Sequence, residues 1–176
     1  SSNAILGALF ARERTGSGQE VEVALYDNAL QMTGYAAFQE MFTGRPAPRY
    51  GNVSPDTSPS AAFSASDGAF YINSGNDRIF RRLVEDVVEL PDMATDLRFQ
   101  TNKGRIDNRE EIFARIQAVF STKPRAYWSQ KMREAVVHCG EIRSIGEAIR
   151  APEATDRHLF TRIEHRELGW IPNIAN

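Results

Sequence analysis

The hydrophobic pattern is clearest between Ala61 and Leu90, which reads AAFSASDGAFYINSGNDRIFRRLVEDVVEL. Ala62 to Ala65 and Ala69 to Asn73 are short runs of small and aromatic residues. Ser66-Asp67-Gly68 between them is a hairpin turn signal, because Asp and Gly both tolerate positive φ. Asn76 and Asp77 then offer side-chain oxygens to the free N–H groups of a helix start. Ile79, Phe80, Leu83, Val84, Val87 and Val88 follow at helical spacing, so one face is apolar. The pattern predicts a strand pair with a helix laid over one face, a unit that most often serves as scaffold.

The same periods divide the rest of the chain. Ala4 to Arg14 reads as a helix with Ile5, Leu6, Leu9 and Phe10 apolar and its basic residues near the end, where they complement the dipole. Thr15-Gly16-Ser17-Gly18 is a stop and turn. Gln19 to Leu25 alternates strictly and predicts a strand with Val21, Val23 and Leu25 on one side. Tyr26-Asp27-Asn28 opens a longer helix to about Phe42, closed by Thr43-Gly44. Arg45 to Ser60 holds Pro46, Pro48, Pro55 and Pro59 and suits neither helix nor central strand. A connection this long is usually functional or a linker. Asp92 to Thr101 is a short, uneven helical piece. Asp107-Asn108-Arg109 opens a clear helix with Ile112, Phe113, Ile116, Val119 and Phe120 on one face. Lys123-Pro124 breaks the chain before a helix marked by Tyr127, Trp128 and Met132. Glu141 to Ile145 alternates like a short strand, Gly146 to Ile149 is a short helix ended by Pro152, and Leu159–His165 and Leu168–Ile174 are extended. The fold class expected is α/β with a smaller α+β domain, helices around a small antiparallel sheet.

Composition narrows the possibilities. Of 176 residues, 41% are hydrophobic and 25% charged, an ordinary globular balance. A net charge of -2 gives no general attraction to nucleic acid or to an anionic membrane. No apolar run is long enough to span a bilayer. The single cysteine, Cys139, excludes an internal disulfide framework and fits a cytoplasmic protein. Ser2-Asn3-Ala4 resembles the remnant of a cleaved tag, and helical character begins at once without an initiator Met. The expectation is a piece of a longer protein.

Spacing alone assigns little chemistry. There is no Walker loop, GxGxxG or HExxH, and Gly16-Ser17-Gly18 reads as a helix-to-strand turn. His138, His158 and His165 are scattered, so no metal site is expected. Cys139 reads as a small buried hydrophobe. Arg78, Arg81, Arg82, Lys103 and Arg105 form a basic cluster, either a solvated face or a contact for a phosphate-bearing ligand. Asp56, Asp67, Asp77 and Asp107 read as turn or cap residues.

Longer motifs go further. ILGALFARERTGSGQEVEVALYDNAL resembles the family III CoA-transferases (CaiB/BaiF family), the group that includes formyl-CoA transferase and α-methylacyl-CoA racemase. Ile5, Leu6, Ala8, Leu9, Arg12, Thr15, Gly16, Gly18, Gln19, Val21, Val23, Leu25 and Asp27 carry the likeness. Thr43-Gly44 with Arg49, Gly51 and Asn52 resembles the family's T-G then R-x-G-N loop. Asp67-Gly68, Ile72, Gly75-Asn76-Asp77 and Phe80 resemble its D-G-x-x-x-I-x-x-G-N-D-x-x-F run. Thr101-Asn102 with Arg105, Asn108 and Arg109 resembles T-N-x-x-R-x-x-N-R. Glu141-Ile142, Glu147-Ala148, Pro152 and Leu168-Gly169 are similar to its closing part.

The resemblance implies an interlocked homodimer whose chains each have a large α/β domain and a smaller inserted one. Residues 1–44 would then belong to the large domain and its connecting helix, 45–56 to a linker loop, 57–165 to the small domain and 166–176 to the return. It also implies coenzyme A thioesters as substrates, no covalently bound cofactor, and acyl-CoA and a carboxylic acid as partners, without nucleic acid or membrane. Members use an aspartate to attack the thioester; racemase members move an α-proton with His and Asp instead. That aspartate would fall before residue 1, so no catalytic residue is assigned here and this chain alone is expected to be inactive. A non-catalytic domain binding acyl-CoA or a partner stays open as the alternative. Arg49 to Ser60 is the candidate wall over the thioester, with Asn52, Ser58 and Ser60 as substrate-binding candidates through side chains and backbone N–H groups. It lacks the glycine run of formyl-CoA transferase, which argues against oxalate or formate. Ala135-Val136-Val137-His138 departs from the family's A-G-V-P.

Overall fold

Ser66 and Asp67 close a two-residue hairpin: β1 (Ser60–Ala65) pairs antiparallel with β2 (Gly68–Asn73) from Ser60↔Asn73 to Ala65↔Gly68. The turn forms where expected but not by the expected dihedrals. Gly68 takes φ 155° while Asp67 is absent from the residues of positive φ. The Asp67 carboxylate is used elsewhere, accepting 2.7 Å from the Arg125 N–H at the start of a later helix. This is a computed structural model; it describes residues 2–174, which fall into two compact units that divide between Arg49 and Tyr50.

In the first unit, α1 (Ser2–Thr15), α2 (Leu25–Met32) and α3 (Tyr35–Thr43) carry no buried residue. Two expectations are corrected. Gln19 to Leu25 is not a strand: the residues before Leu25 are irregular, and Leu25 opens α2. Alternation makes a strand only when a neighbouring chain completes the hydrogen-bond ladder, and among the described residues none does. The long helix is instead two, broken at Gly34, whose φ of 57° and ψ of −131° leave the helical region. Gly44, at φ 65°, ends α3 as expected, its N–H reaching the Glu40 carbonyl at 2.8 Å.

The second unit holds the core. α4 (Asp77–Arg82) starts at Asn76, whose Oδ1 accepts from the Ile79 N–H at 2.9 Å. It widens into a π turn, Leu83–Val87, that buries Leu83, Val84 and Val87. α5 (Pro91–Thr95) and a 3₁₀ turn, Leu97–Phe99, follow. α6 (Asn102–Asp107) is an added helix that periodicity did not reveal, too short to show a stripe. α7 (Arg109–Phe120) buries Ile112, Ile116 and Phe120, and α8 (Arg125–Glu134) buries Trp128 and Met132. The third strand, β3 (His138–Ile142), starts earlier than expected and pairs with β2, giving the order β1-β2-β3. α9 (Ile145–Ile149) and α10 (Pro152–Asp156) lead to a separate hairpin, β4 (Phe160–His165) with β5 (Gly169–Ile174).

Phe63 and Phe70 point inward from the sheet. Both meet Phe120 edge-on, at 5.4 and 4.8 Å, and Phe120 meets Trp128 at 5.1 Å. Offset edge-to-face contact is what the ring quadrupoles favour. The outer edge of β1 is closed by α7: Gln117 accepts from the Ser64 N–H at 2.9 Å and donates to its carbonyl at 2.8 Å. A side-chain amide here supplies what another strand would.

Candidate functional site

Asn52 to Ser60 forms a closed loop whose ends are stitched together. Val53 bridges Ala61, the Ser54 N–H donates to the Ser60 carbonyl at 2.8 Å, and the Ala62 N–H donates to the Asn52 carbonyl at 3.3 Å. The crest, Pro55 to Pro59, includes a cis Ser58–Pro59 bond.

Three side chains of the T-N-x-x-R-x-x-N-R segment hold this crest from behind. Thr101 caps α6 by accepting from the Gly104 N–H at 3.1 Å. That places Asn102 against the loop, where its Oδ1 accepts from the Ser58 N–H at 3.1 Å and its Nδ2 donates to the Asp56 carbonyl at 2.7 Å. One turn on, Arg105 is 0% exposed. Its Nε donates to the Ser58 carbonyl at 2.7 Å, Nη1 to the Phe99 carbonyl at 2.9 Å and Nη2 to the Gly75 carbonyl at 3.3 Å. Asp77 supplies its counter-charge at 2.8 Å, and the guanidinium lies 4.7 Å from the Phe80 ring centroid. A buried cation needs this full set of partners. Arg109, at the start of α7, donates to the Ser54 carbonyl at 2.7 Å. Gly104 is required where α6 passes Arg98: a Cβ there would lie 2.2 Å from the Arg98 carbonyl oxygen.

The three sequence candidates therefore separate. Asn52 is exposed on the loop. Ser58 and Ser60 are 0% and 1% exposed, so their side chains face inward. The Ser58 N–H is already taken by Asn102, which corrects the expectation that it faces an acyl oxyanion. The Ser60 hydroxyl donates to Asn73 Oδ1 at 3.0 Å across the hairpin. The loop backbone faces the core because Asn102, Arg105 and Arg109 capture its carbonyls. The basic cluster also divides: Arg105 is a buried structural cation, neither solvated nor open to a phosphate. The sequence placed Arg109 at a helix start and Asn102 within the family motif, but nothing in their local spacing linked either to the loop.

A second concavity of about 460 Å³ lies beside β3, lined by Ser129, Arg133, Cys139, Arg143 and Glu153 among others. Cys139 is exposed there, not buried as expected, because β3 is an edge strand. Partial desolvation of its sulfur by the surrounding side chains still pushes the thiol above its ordinary pKa, which makes it a poor nucleophile at neutral pH. Arg143 is engaged by Glu153 at 3.2 Å and Glu141 at 3.4 Å. Among the described residues, no group of three metal-binding side chains occurs.

A small antiparallel sheet under helices, with a clamped loop at its edge, defines an α+β module. The chain belongs to CoA-transferase family III, whose family model matches residues 1–176. It is 34% identical over 158 residues to an acetyl-CoA:oxalate CoA-transferase of Acetobacter aceti, covering 90% of this chain and 40% of that protein. It is 30% identical to a succinate–glutarate CoA-transferase of Agrobacterium fabrum, covering 99% of this chain and 43% of the relative. A CaiB/BaiF family crystal structure from Brucella suis superposes with a TM-score of 0.78 at 27% identity, over 96% of this chain and 47% of that one. Rv3272 from M. tuberculosis shares the fold with a TM-score of 0.80 at 24% identity, over 99% of this chain and 45% of its own. The chain thus spans less than half the length of each of these relatives.

Proposed function

We propose that this chain forms the lid-bearing part of an acyl-CoA transferase that moves coenzyme A between carboxylic acids. The attacking aspartate is supplied from outside these 176 residues. Its carboxylate adds to the acyl-CoA carbonyl and expels the CoA thiolate, giving an acyl-aspartyl anhydride. The thiolate returns to the aspartyl carbonyl, which releases the first acid and leaves an aspartyl-CoA thioester. The acceptor carboxylate then repeats both exchanges in reverse order. Each intermediate is hydrolysable, so the reaction needs a wall that excludes water.

The clamped loop Asn52–Pro59 supplies that wall. Asn52 faces the substrate, while Ser58 and Ser60 act from inside by setting the loop's shape. The whole protein is a cytoplasmic homodimer, in which further protein covers the apolar faces of α1 to α3 that carry no buried residue here. The observation that supports this reading best is the family match along residues 1–176.

The test is an assay of the full-length gene product with a panel of acyl-CoAs and acceptor acids, with α-proton exchange followed in parallel. CoA transfer to an acceptor, with hydroxylamine trapping an activated aspartyl group, is the expected result. Proton exchange without transfer would overturn it in favour of a racemase. Turnover by the isolated 176-residue chain would overturn the external aspartate.

A further inference from the structure

The Asn102 side chain grips the crest of the loop and nothing else. Its Oδ1 accepts from the Ser58 N–H at 3.1 Å and its Nδ2 donates to the Asp56 carbonyl at 2.7 Å. Among the described residues it makes no other hydrogen bond, so one amide spans the crest. Arg105, by contrast, also ties the Phe99 and Gly75 carbonyls of the core. The cap of α6 is Thr101, so the helix that carries Asn102 does not need its side chain. The crest also rests on a floor. A Cβ at Gly75 would lie 2.6 Å from both Cβ and Cγ2 of Thr57, so Thr57 sits directly on the Gly75 backbone. Only glycine permits so close an approach. The crest is thus seated from two sides, by the grip from α6 and by the backbone between β2 and α4.

We infer that Asn102 and Gly75 are positioning residues for water exclusion: they seat the crest, and the seat decides how much activated acyl group is hydrolysed instead of transferred. This rests on the proposed role of the loop as the wall over the thioester. Water that reaches the aspartyl-CoA thioester bonds its oxygen to the carbonyl carbon and breaks the C–S bond. The aspartate carboxylate is restored, one water proton goes to the CoA thiolate and the other to solvent. The acceptor carboxylate attacks the same carbon, so the two outcomes compete for one intermediate. A lifted crest admits water without removing any group that touches the reacting atoms. Loss of the seat therefore changes the partition between the two outcomes, whereas loss of fold changes only the amount of active enzyme.

The experiment takes the full-length enzyme with an acyl-CoA that it turns over and a saturating acceptor acid. It measures two rates, formation of the new acyl-CoA and release of free CoA thiol, which only hydrolysis yields. Transfer is expected to dominate in the wild type. Asn102→Ala removes two hydrogen bonds to the crest and should raise the hydrolysis-to-transfer ratio about tenfold. Asn102→Asp keeps the acceptor for the Ser58 N–H and should fall between. Gly75→Ala, which pushes Thr57 off its floor, should raise the ratio as well. The control is Glu147→Gln, which weakens the hydrogen bond from Arg125 outside the clamp and should leave the ratio unmoved. A ratio unmoved by Asn102→Ala in active enzyme, or by Gly75→Ala where Asn102→Ala does not fold, overturns the positioning role and leaves the transferase reading intact. So does a ratio that Glu147→Gln raises as far as Asn102→Ala does, since general loosening would give that. An enzyme that transfers CoA from no acyl-CoA tried overturns both.

Discussion

Arg105 shows how far a single position can depart from its sequence appearance. By neighbourhood it belongs with Arg78, Arg81 and Arg82, on what reads as a basic surface. In the fold it is fully buried and ties the Ser58, Phe99 and Gly75 carbonyls to one point. Truncation would leave those carbonyls and Asp77 without their partner. Arg105→Ala is therefore expected to destabilise the second unit by about 3–5 kcal/mol, read as a lower midpoint in urea unfolding. Arg105→Lys keeps the charge but loses the planar fork, and should recover only part of that loss. Gly104→Ala forces a carbon against the Arg98 carbonyl 2.2 Å away, so α6 must shift. A cost of about 1–3 kcal/mol in the same measurement is expected.

Helices and strands were legible in proportion to how much of their stabilisation is local. The Asn76 cap, the stripe of α7 and the Asp-Gly hairpin all lie where the pattern puts them. Asn76→Ala should cost about 1 kcal/mol by leaving the Ile79 N–H uncapped. The strand expected at Gln19–Leu25 does not form, because alternation is local whereas a ladder needs a partner. Nor was the junction between α8 and α9 legible. There Arg125 donates to Glu147 at 2.6 Å and to the Ile142 carbonyl at 3.2 Å. The Arg125 hydrogen bond, aided by the Ser144 cap, draws the Glu147 carboxyl down to about 2. A carboxylate with a lowered pKa in the folded state contributes stability above its unfolded value, and loses it as pH falls through the folded one. The Glu147 contribution should thus be complete above roughly pH 5 and fade towards pH 2. Glu147→Gln should flatten that part of the stability–pH curve, followed by thermal melts across this range.

The two units differ in what holds them. The buried cluster runs from Ala61 to Val137, within the second unit. The helices of the first leave Leu25, Met32 and Phe42 each more than four-fifths exposed. Residues 50–176 are expected to unfold cooperatively by themselves, whereas residues 1–49 alone should show no cooperative transition; circular dichroism of the two pieces checks this. The sequence by itself determined the helices with strong stripes, the hairpin, the irregular proline loop and the family, because each is written in neighbouring residues or in an ordered motif. Tertiary structure alone decided that Asn102, Arg105 and Arg109 grip the loop, that Ser58 turns inward and that Asp56 stays outside. Those facts rest on hydrogen bonds between residues more than forty positions apart, and local spacing carries no record of them.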